Sequence, residues 1–260
     1  MSIPALSGKA YFLITGASRG IGKQIAISFG SLLQEGSYVL LLASNLNALK
    51  DTAAQLPSNL NVDYASVDLG TATKDDLKKV VMSSLKGTDP KEFDRVIIVH
   101  NVGTSGDVSK FTNEMMDINV WRKYFDLNMF IPIILNGLMM EIFDKNSDTK
   151  KLIINITSLL AQLPFASAGY YCTVKAAKEM FFKVFALEYP EVDVLNYSPG
   201  PVQTDMLDNF TQNLANKEFK SNLISNTILT TEQTVNRLIE VLKDHQYKSG
   251  DHIDYFDEKI

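Results

Sequence analysis

The chain is expected to fold as one doubly wound α/β domain, a parallel sheet with helices on both faces, and three observations carry that expectation. Short apolar runs alternate with helix-length amphipathic stretches from end to end. The runs are continuously apolar, as strands buried on both faces require. No Pro/Gly/Ser-rich linker or charge block divides the 260 residues, so 1–260 reads as a single domain, and an apolar content of 45% is enough for a sizeable core.

The elements follow in order. Residues 11–14 (Tyr-Phe-Leu-Ile) form a strand that runs into a glycine turn, and 21–33 is the helix after it. Apolar runs at 38–43, 96–100 and 152–156 are further strands, with amphipathic helices at 46–55 and 74–85 and a long one at 120–143. A helix over 169–188, a strand at 192–196, helices at 218–224 and 231–242 and a last short strand at 251–255 complete the pattern. There is no internal repeat and no low-complexity segment.

Composition excludes several roles. The net charge of −5, with no cluster of Lys and Arg, argues against a nucleic-acid partner. The single cysteine, Cys172, cannot form an intrachain disulfide, and no metal site is read. The apolar run at 129–140 carries Pro132 and Asn136 and falls short of the roughly 18 residues a membrane span needs. The N-terminus enters a strand almost at once, leaving no room for a signal peptide, so a cytoplasmic protein without a membrane partner is expected.

Two motifs carry chemistry. The first is Thr15-Gly16-Ala17-Ser18-Arg19-Gly20-Ile21-Gly22 at a strand-to-helix turn. Glycines there let backbone approach a pyrophosphate while the helix N-terminus offers N–H donors and a partial positive charge, so Gly16, Ser18, Gly20, Ile21 and Gly22 are candidate dinucleotide contacts. A site that reads a ribose 2′-hydroxyl places an acid at the end of the second strand; here Ala43-Ser44-Asn45 has none. Ser44 therefore tolerates a 2′-phosphate and Arg19 offers it a bidentate partner, which favours NADP(H).

The second motif is Tyr171-Cys-Thr-Val-Lys175, with Ser158 thirteen residues before the tyrosine. Tyr171 and Lys175 share a helix face. An ammonium beside a phenol is expected to pull its pKa down from about 10 and make it a better proton carrier, with Ser158 holding the carbonyl oxygen that Tyr171 protonates.

Both motifs, in this order, resemble those of the short-chain dehydrogenase/reductase family, whose glycine turn reads TGxxxGxG. The resemblance implies a Rossmann-type fold and further site residues. Asp68 and Leu69 would contact adenine. Asn101 and Gly103 would border the cofactor, although the family's Asn-Asn-Ala-Gly is here His100-Asn101-Val102-Gly103, with His100 read as a packed strand-end residue. Asn128 would support a water relay to Lys175, and Tyr171 and Lys175 would also reach the nicotinamide ribose. Pro199, Gly200, Val202 and Thr204 would lie along the nicotinamide, and residues 205–228 would form a mobile cover over the substrate. The family pairs subunits through the helices at 120–143 and 169–188. Phe181, Phe182, Val184, Phe185 and Leu187 put apolar groups on more than one side of the second of these, so a homodimer is expected.

Four segments, 103–109, 171–180, 194–206 and 248–257, resemble a branch of the family that reduces side-chain ketones of pterins, sepiapterin and 6-pyruvoyltetrahydropterin among them. In that branch a tail similar to Ser249-Gly-Asp-His-Ile-Asp254 carries an aspartate that anchors the pterin ring, so Asp254 is the implied substrate contact. A pterin presents two parallel donors that suit one carboxylate. A reductase for another small carbonyl compound shares every catalytic residue, and only the Asp254 tail divides the two readings. A dinucleotide-binding regulator without chemistry is a third reading; it predicts the loss of Ser158, Tyr171 or Lys175, all of which are present.

Overall fold

The computed structural model describes residues 3–143, 148–216 and 228–258. The strands are β1 (Ala10–Thr15), β2 (Tyr38–Ala43), β3 (Asn61–Ser66), β4 (Arg95–His100), β5 (Lys150–Ile156), β6 (Val192–Ser198) and β7 (His252–Asp254). They form one parallel sheet in the order β3-β2-β1-β4-β5-β6-β7. The helices are α1 (Gly20–Gly30), α2 (Leu46–Ala53), α3 (Lys74–Ser84), α4 (Ile118–Phe125), α5 (Ile131–Phe143), α6 (Gly169–Glu188), α7 (Asp205–Asn213) and α8 (Thr231–Asp244).

Each central strand is buried on both faces because successive side chains point to opposite sides of the pleat. Ala10, Phe12 and Ile14 of β1 join one core with Ile25 and Phe29 of α1 and Leu238 and Leu242 of α8. Tyr11 and Leu13 join the other, with Leu77 of α3, Leu135 of α5 and Phe182 of α6. β4 divides in the same way, Ile97 and Val99 to the first core, Val96 and Ile98 to the second. This two-sided burial is why the strands read as continuous apolar runs. Capping residues set the helix starts: Thr73 and Asp76 form a capping box on α3, as do Thr230 and Gln233 on α8.

Four elements differ from the sequence expectation, the first being β3, whose part-exposed Asn61-Val-Asp-Tyr-Ala-Ser66 is no continuous apolar run and is not read as a strand. In place of one helix over 120–143, α4 passes through a single π turn (Asp126–Phe130) into α5, so the helical run Ile118–Phe143 spans 26 residues. By length and composition that run is sufficient to cross a bilayer, where the sequence reading weighed only the apolar run at 129–140. Its Leu135, Leu138, Met139 and Phe143 are packed in the second core, however, which makes it a core helix. Residues 205–213, expected as part of a cover, form α7, capped by the Thr204 hydroxyl. The helix expected at 218–224 lies outside the described residues.

The strand order reverses between β1 and β4. Open parallel sheets leave a crevice at such a point, beyond the carboxyl ends of the strands.

Candidate active site

The crevice holds a cleft of about 900 Å³. Its floor is the glycine turn between β1 and α1, strapped to the sheet by Gly16 N–H donating to Leu42 O at 2.7 Å. The turn needs its glycines. Gly16 has φ +70°, and a Cβ on Gly22 would lie 2.2 Å from the carbonyl oxygen of Gly16. No side chain caps α1, so its first N–H groups stay available to a ligand. A bare turn under an uncapped helix start fits a dinucleotide pyrophosphate.

Most of the expected cofactor residues meet at this cleft. Gly16, Ser18, Arg19, Gly20 and Ile21 line it from the turn, and Ser44, Asp68 and Leu69 from the ends of β2 and β3. Asn101, Gly103 and Thr204 complete the wall. Asn101 also braces the turn, its amide donating to Thr15 O at 3.0 Å and Gly16 O at 3.3 Å. Arg19 is not waiting for a phosphate: its guanidinium is paired with Asp205 at the start of α7, and a 2′-phosphate would compete with that carboxylate.

Sequence reasoning missed several lining residues, among them the apolar Val67, Val102 and Leu127. Each adjoins a residue it did find, Asp68, Asn101 or Asn128, and that adjacency is the only signal the sequence holds for them.

Gly22, Tyr171, Lys175, Pro199, Gly200 and Val202 are not on the cleft wall. Gly22 is packed beneath the turn. Pro199 and Val202 are held in the loop after β6, where Pro199 O accepts from Thr234 Oγ1 at 2.8 Å and Val202 bridges Leu229. Gly200 turns that loop at φ +71°, with Leu229 and Phe256 at its back. Tyr171 lies under Phe210 of α7, which stands edge-on to it with ring centroids 6.0 Å apart and also meets Phe165 at 5.6 Å. The described part of the expected cover therefore does lie over the tyrosine; no sequence motif singled out Phe210.

The reacting groups come together as the spacing implied. Tyr171 lies by Ser158, whose side chain favours its phenolate, and Lys175 Nζ is 5.4 Å from the Tyr171 ring centroid. Lys175 is buried and donates to Ile156 O at 2.8 Å and Thr157 O at 3.5 Å. The electrostatics correct one expectation. Burial pushes the Tyr171 phenol up to about 12, against the lowering by Ser158. Lys175 does not offset that rise: its hydrogen bonds go to the carbonyls of Ile156 and Thr157, and burial drives its own pKa down to about 8, opposed by Glu179. The phenol thus keeps its proton at neutral pH, the form a reduction consumes.

Asn128, buried in the π turn, accepts from Thr104 N at 2.9 Å and donates to Tyr124 O at 2.8 Å, bracing the loop after β4. Its amide is thus committed to the loop after β4 on one side and to the backbone of α4 on the other. His100 is a packed, neutral imidazole as expected, pushed down to about 3 by burial and by the charge of Lys178. Asp254 is buried at the end of β7 and is not an open fork: its carboxylate accepts from Ser198 Oγ at 2.5 Å and from Phe256 N at 3.0 Å.

A profile of the short chain dehydrogenase family matches residues 10–215. The chain belongs to the short-chain dehydrogenase/reductase family. With it come the oxidoreductase class and the fold already described. Among members of the family, the chain is 31% identical to sepiapterin reductase of Xenopus tropicalis over 99% of this chain and 100% of that one. It is 32% identical to sepiapterin reductase of Rattus norvegicus, covering 96% and 97% of the two chains. It is also 26% identical to a benzil reductase of Bacillus subtilis over 75% of each. A solved short-chain dehydrogenase/reductase of Saccharomyces cerevisiae superposes with a TM-score of 0.78 at 26% identity, covering 96% of this chain and 97% of that one. A short-chain dehydrogenase of Shigella flexneri, solved with NADP, superposes with a TM-score of 0.76 at 22% identity over 96% and 98% of the chains.

Proposed function

We propose that the protein is an NADPH-dependent reductase of pterin side-chain ketones, sepiapterin and 6-pyruvoyltetrahydropterin among them, on the route to tetrahydrobiopterin. The observation that carries this reading is the assembly of Ser158, Tyr171 and Lys175 at the ends of β5 and α6, beside a glycine-floored cleft, in a chain similar to sepiapterin reductases throughout its length. Gly16, Ser18, Gly20 and Ile21 would hold the pyrophosphate, and Arg19 and Ser44 the phosphorylated ribose. When bound, NADPH supplies the hydride.

The chain's own groups do the rest. Ser158 donates its hydroxyl to the carbonyl oxygen and fixes its position. Tyr171, protonated up to about pH 12, gives that oxygen its proton. The Lys175 ammonium favours the phenolate left behind. Asp254 would anchor the ring: each of its oxygens accepts one protein hydrogen bond, leaving lone pairs for two more donors. Exposed Met180, Val184 and Leu187 on α6 support a homodimer through this helix, while Phe182 and Phe185 turn into the core.

A second reading, reduction of an aromatic diketone, is favoured by the apolar cluster of Phe165, Phe210 and Leu214 around Tyr171 and by the benzil reductase relative. NADPH oxidation measured with sepiapterin beside benzil and unrelated ketones tests both. Turnover of sepiapterin with kcat/KM well above the others is the expected result; preference for benzil would replace the first reading with the second.

A further inference from the structure

Glu179 is a carboxylate that the chemistry above leaves unused. It lies on α6 one turn beyond Lys175, is 3% exposed, and gathers donors from several segments. Its Oε2 accepts from Thr157 Oγ1 at 2.9 Å and lies 2.8 Å from Nδ1 of His252 on β7. Its Oε1 accepts from Lys183 Nζ at 2.7 Å and from Gln162 Nε2 at 3.4 Å. Burial pushes its pKa up, but the donors, His252 and Lys183 first, outweigh that and hold it at about 2. An anion so placed is costly to bury and is kept only with its hydrogen bonds filled.

What it ties together matters. Thr157 immediately precedes Ser158, Gln162 ends the turn that follows it (Leu159–Ala161), and His252 stands two residues before Asp254 on the same strand. We infer that Glu179 is a positioning residue for the reaction, holding Ser158, Lys175 and the Asp254 strand in one mutual arrangement; this rests on reading Ser158, Tyr171 and Lys175 as the reducing site. It also supplies the anion that favours the Lys175 ammonium against burial. The titratable and charged neighbours of Lys175 are Tyr171, Lys178 and Glu179 on α6, with His252 of β7 and Lys183 reaching it only through Glu179; β5 offers Lys175 carbonyl oxygens alone.

The test is Glu179→Gln, which keeps the shape and can still accept from Lys183 and donate to His252, but removes the charge. In ¹³C-lysine NMR, with Lys175→Arg to assign the resonance, Lys175 should lose its proton about one pH unit lower than in the wild type. The alkaline limb of kcat for benzil should follow it down. An unchanged Lys175 titration in folded E179Q overturns the inference. His252→Leu cuts the tie to β7 alone and should raise KM for sepiapterin about tenfold while KM for benzil stays in place; equal effects on both, or none, also overturn it. If E179Q does not fold, the H252L comparison decides. A wild type that reduces benzil but not sepiapterin refutes the pterin reading instead, and the lysine titration, which needs no substrate, still judges Glu179.

Discussion

Replacing Asp254 by Asn is the most discriminating perturbation of the proposed substrate end. Alanine is the wrong probe, because it would leave the buried Ser198 hydroxyl and Phe256 N–H without their acceptor, at about 1–3 kcal/mol for each stranded group. Asparagine keeps an oxygen for Phe256 N–H and presents an amide that donates to Ser198 Oγ, so the β6–β7 pair should survive. What it removes is the charge and one of the two acceptors facing the ring. The loss is that of a hydrogen bond to a charged group, about 1.5–3 kcal/mol, which at 1.4 kcal/mol per tenfold is roughly 10- to 150-fold. The contact is remote from the reacting carbonyl and exists in ground and transition states alike. The fall should therefore appear as a raised KM for sepiapterin with kcat largely kept. Benzil has no pterin ring and should be reduced as before. The assay is kcat/KM for both substrates in both proteins, with thermal unfolding to confirm the fold. A parallel fall for the two substrates, or none for either, would refute Asp254 as the ring anchor.

Four further outcomes are expected. Tyr171→Phe should bind NADPH normally and turn over roughly 10²–10⁴ times more slowly, the usual worth of a general acid; near-normal turnover would remove Tyr171 from the mechanism. The pH profile of kcat should fall on the alkaline side near pH 8, because the Lys175 ammonium is lost as pH rises through its burial-lowered pKa of about 8, whereas Tyr171 keeps its proton to about 12; a limb above pH 10 would show that Lys175 charge is not needed. Arg19→Ala should weaken NADPH by about 1.5 kcal/mol, the lower end for a charged hydrogen bond because Asp205 competes for the same guanidinium, and leave NADH unchanged; equal losses by fluorescence titration would show that Arg19 does not read the phosphate. Light scattering at micromolar concentration should give a dimer that Leu187→Glu, at a position 82% exposed in the single chain, converts to monomer; a wild-type monomer would count against the interface.

The sheet and the cofactor end were legible in the sequence for a local reason. Strands buried on both faces must be apolar without interruption, and a turn that admits no Cβ must be glycine, so β1, β2, β4 and β5 and Gly16, Gly20 and Gly22 announce themselves within a few residues of chain. Tyr171 and Lys175 were legible because one helical turn sets their spacing. Properties that depend on what packs against a residue were not legible. The ammonium of Lys175 was expected to lower the tyrosine's pKa, yet burial raises it, and burial is a property of the whole domain. The π turn at Asp126–Phe130 was not read either, although the sequence carries a cause for it: Pro132, just beyond the turn, has no N–H for Asn128 O and its ring crowds that carbonyl. Glu179 reads in the sequence as one more helix carboxylate, and Asp254 as one of several acids in a polar tail. Tertiary structure alone brings His252 to the first and Ser198 to the second, because β7 joins the sheet beside β6 and carries residues 73 and 56 positions apart in the chain into hydrogen-bond distance.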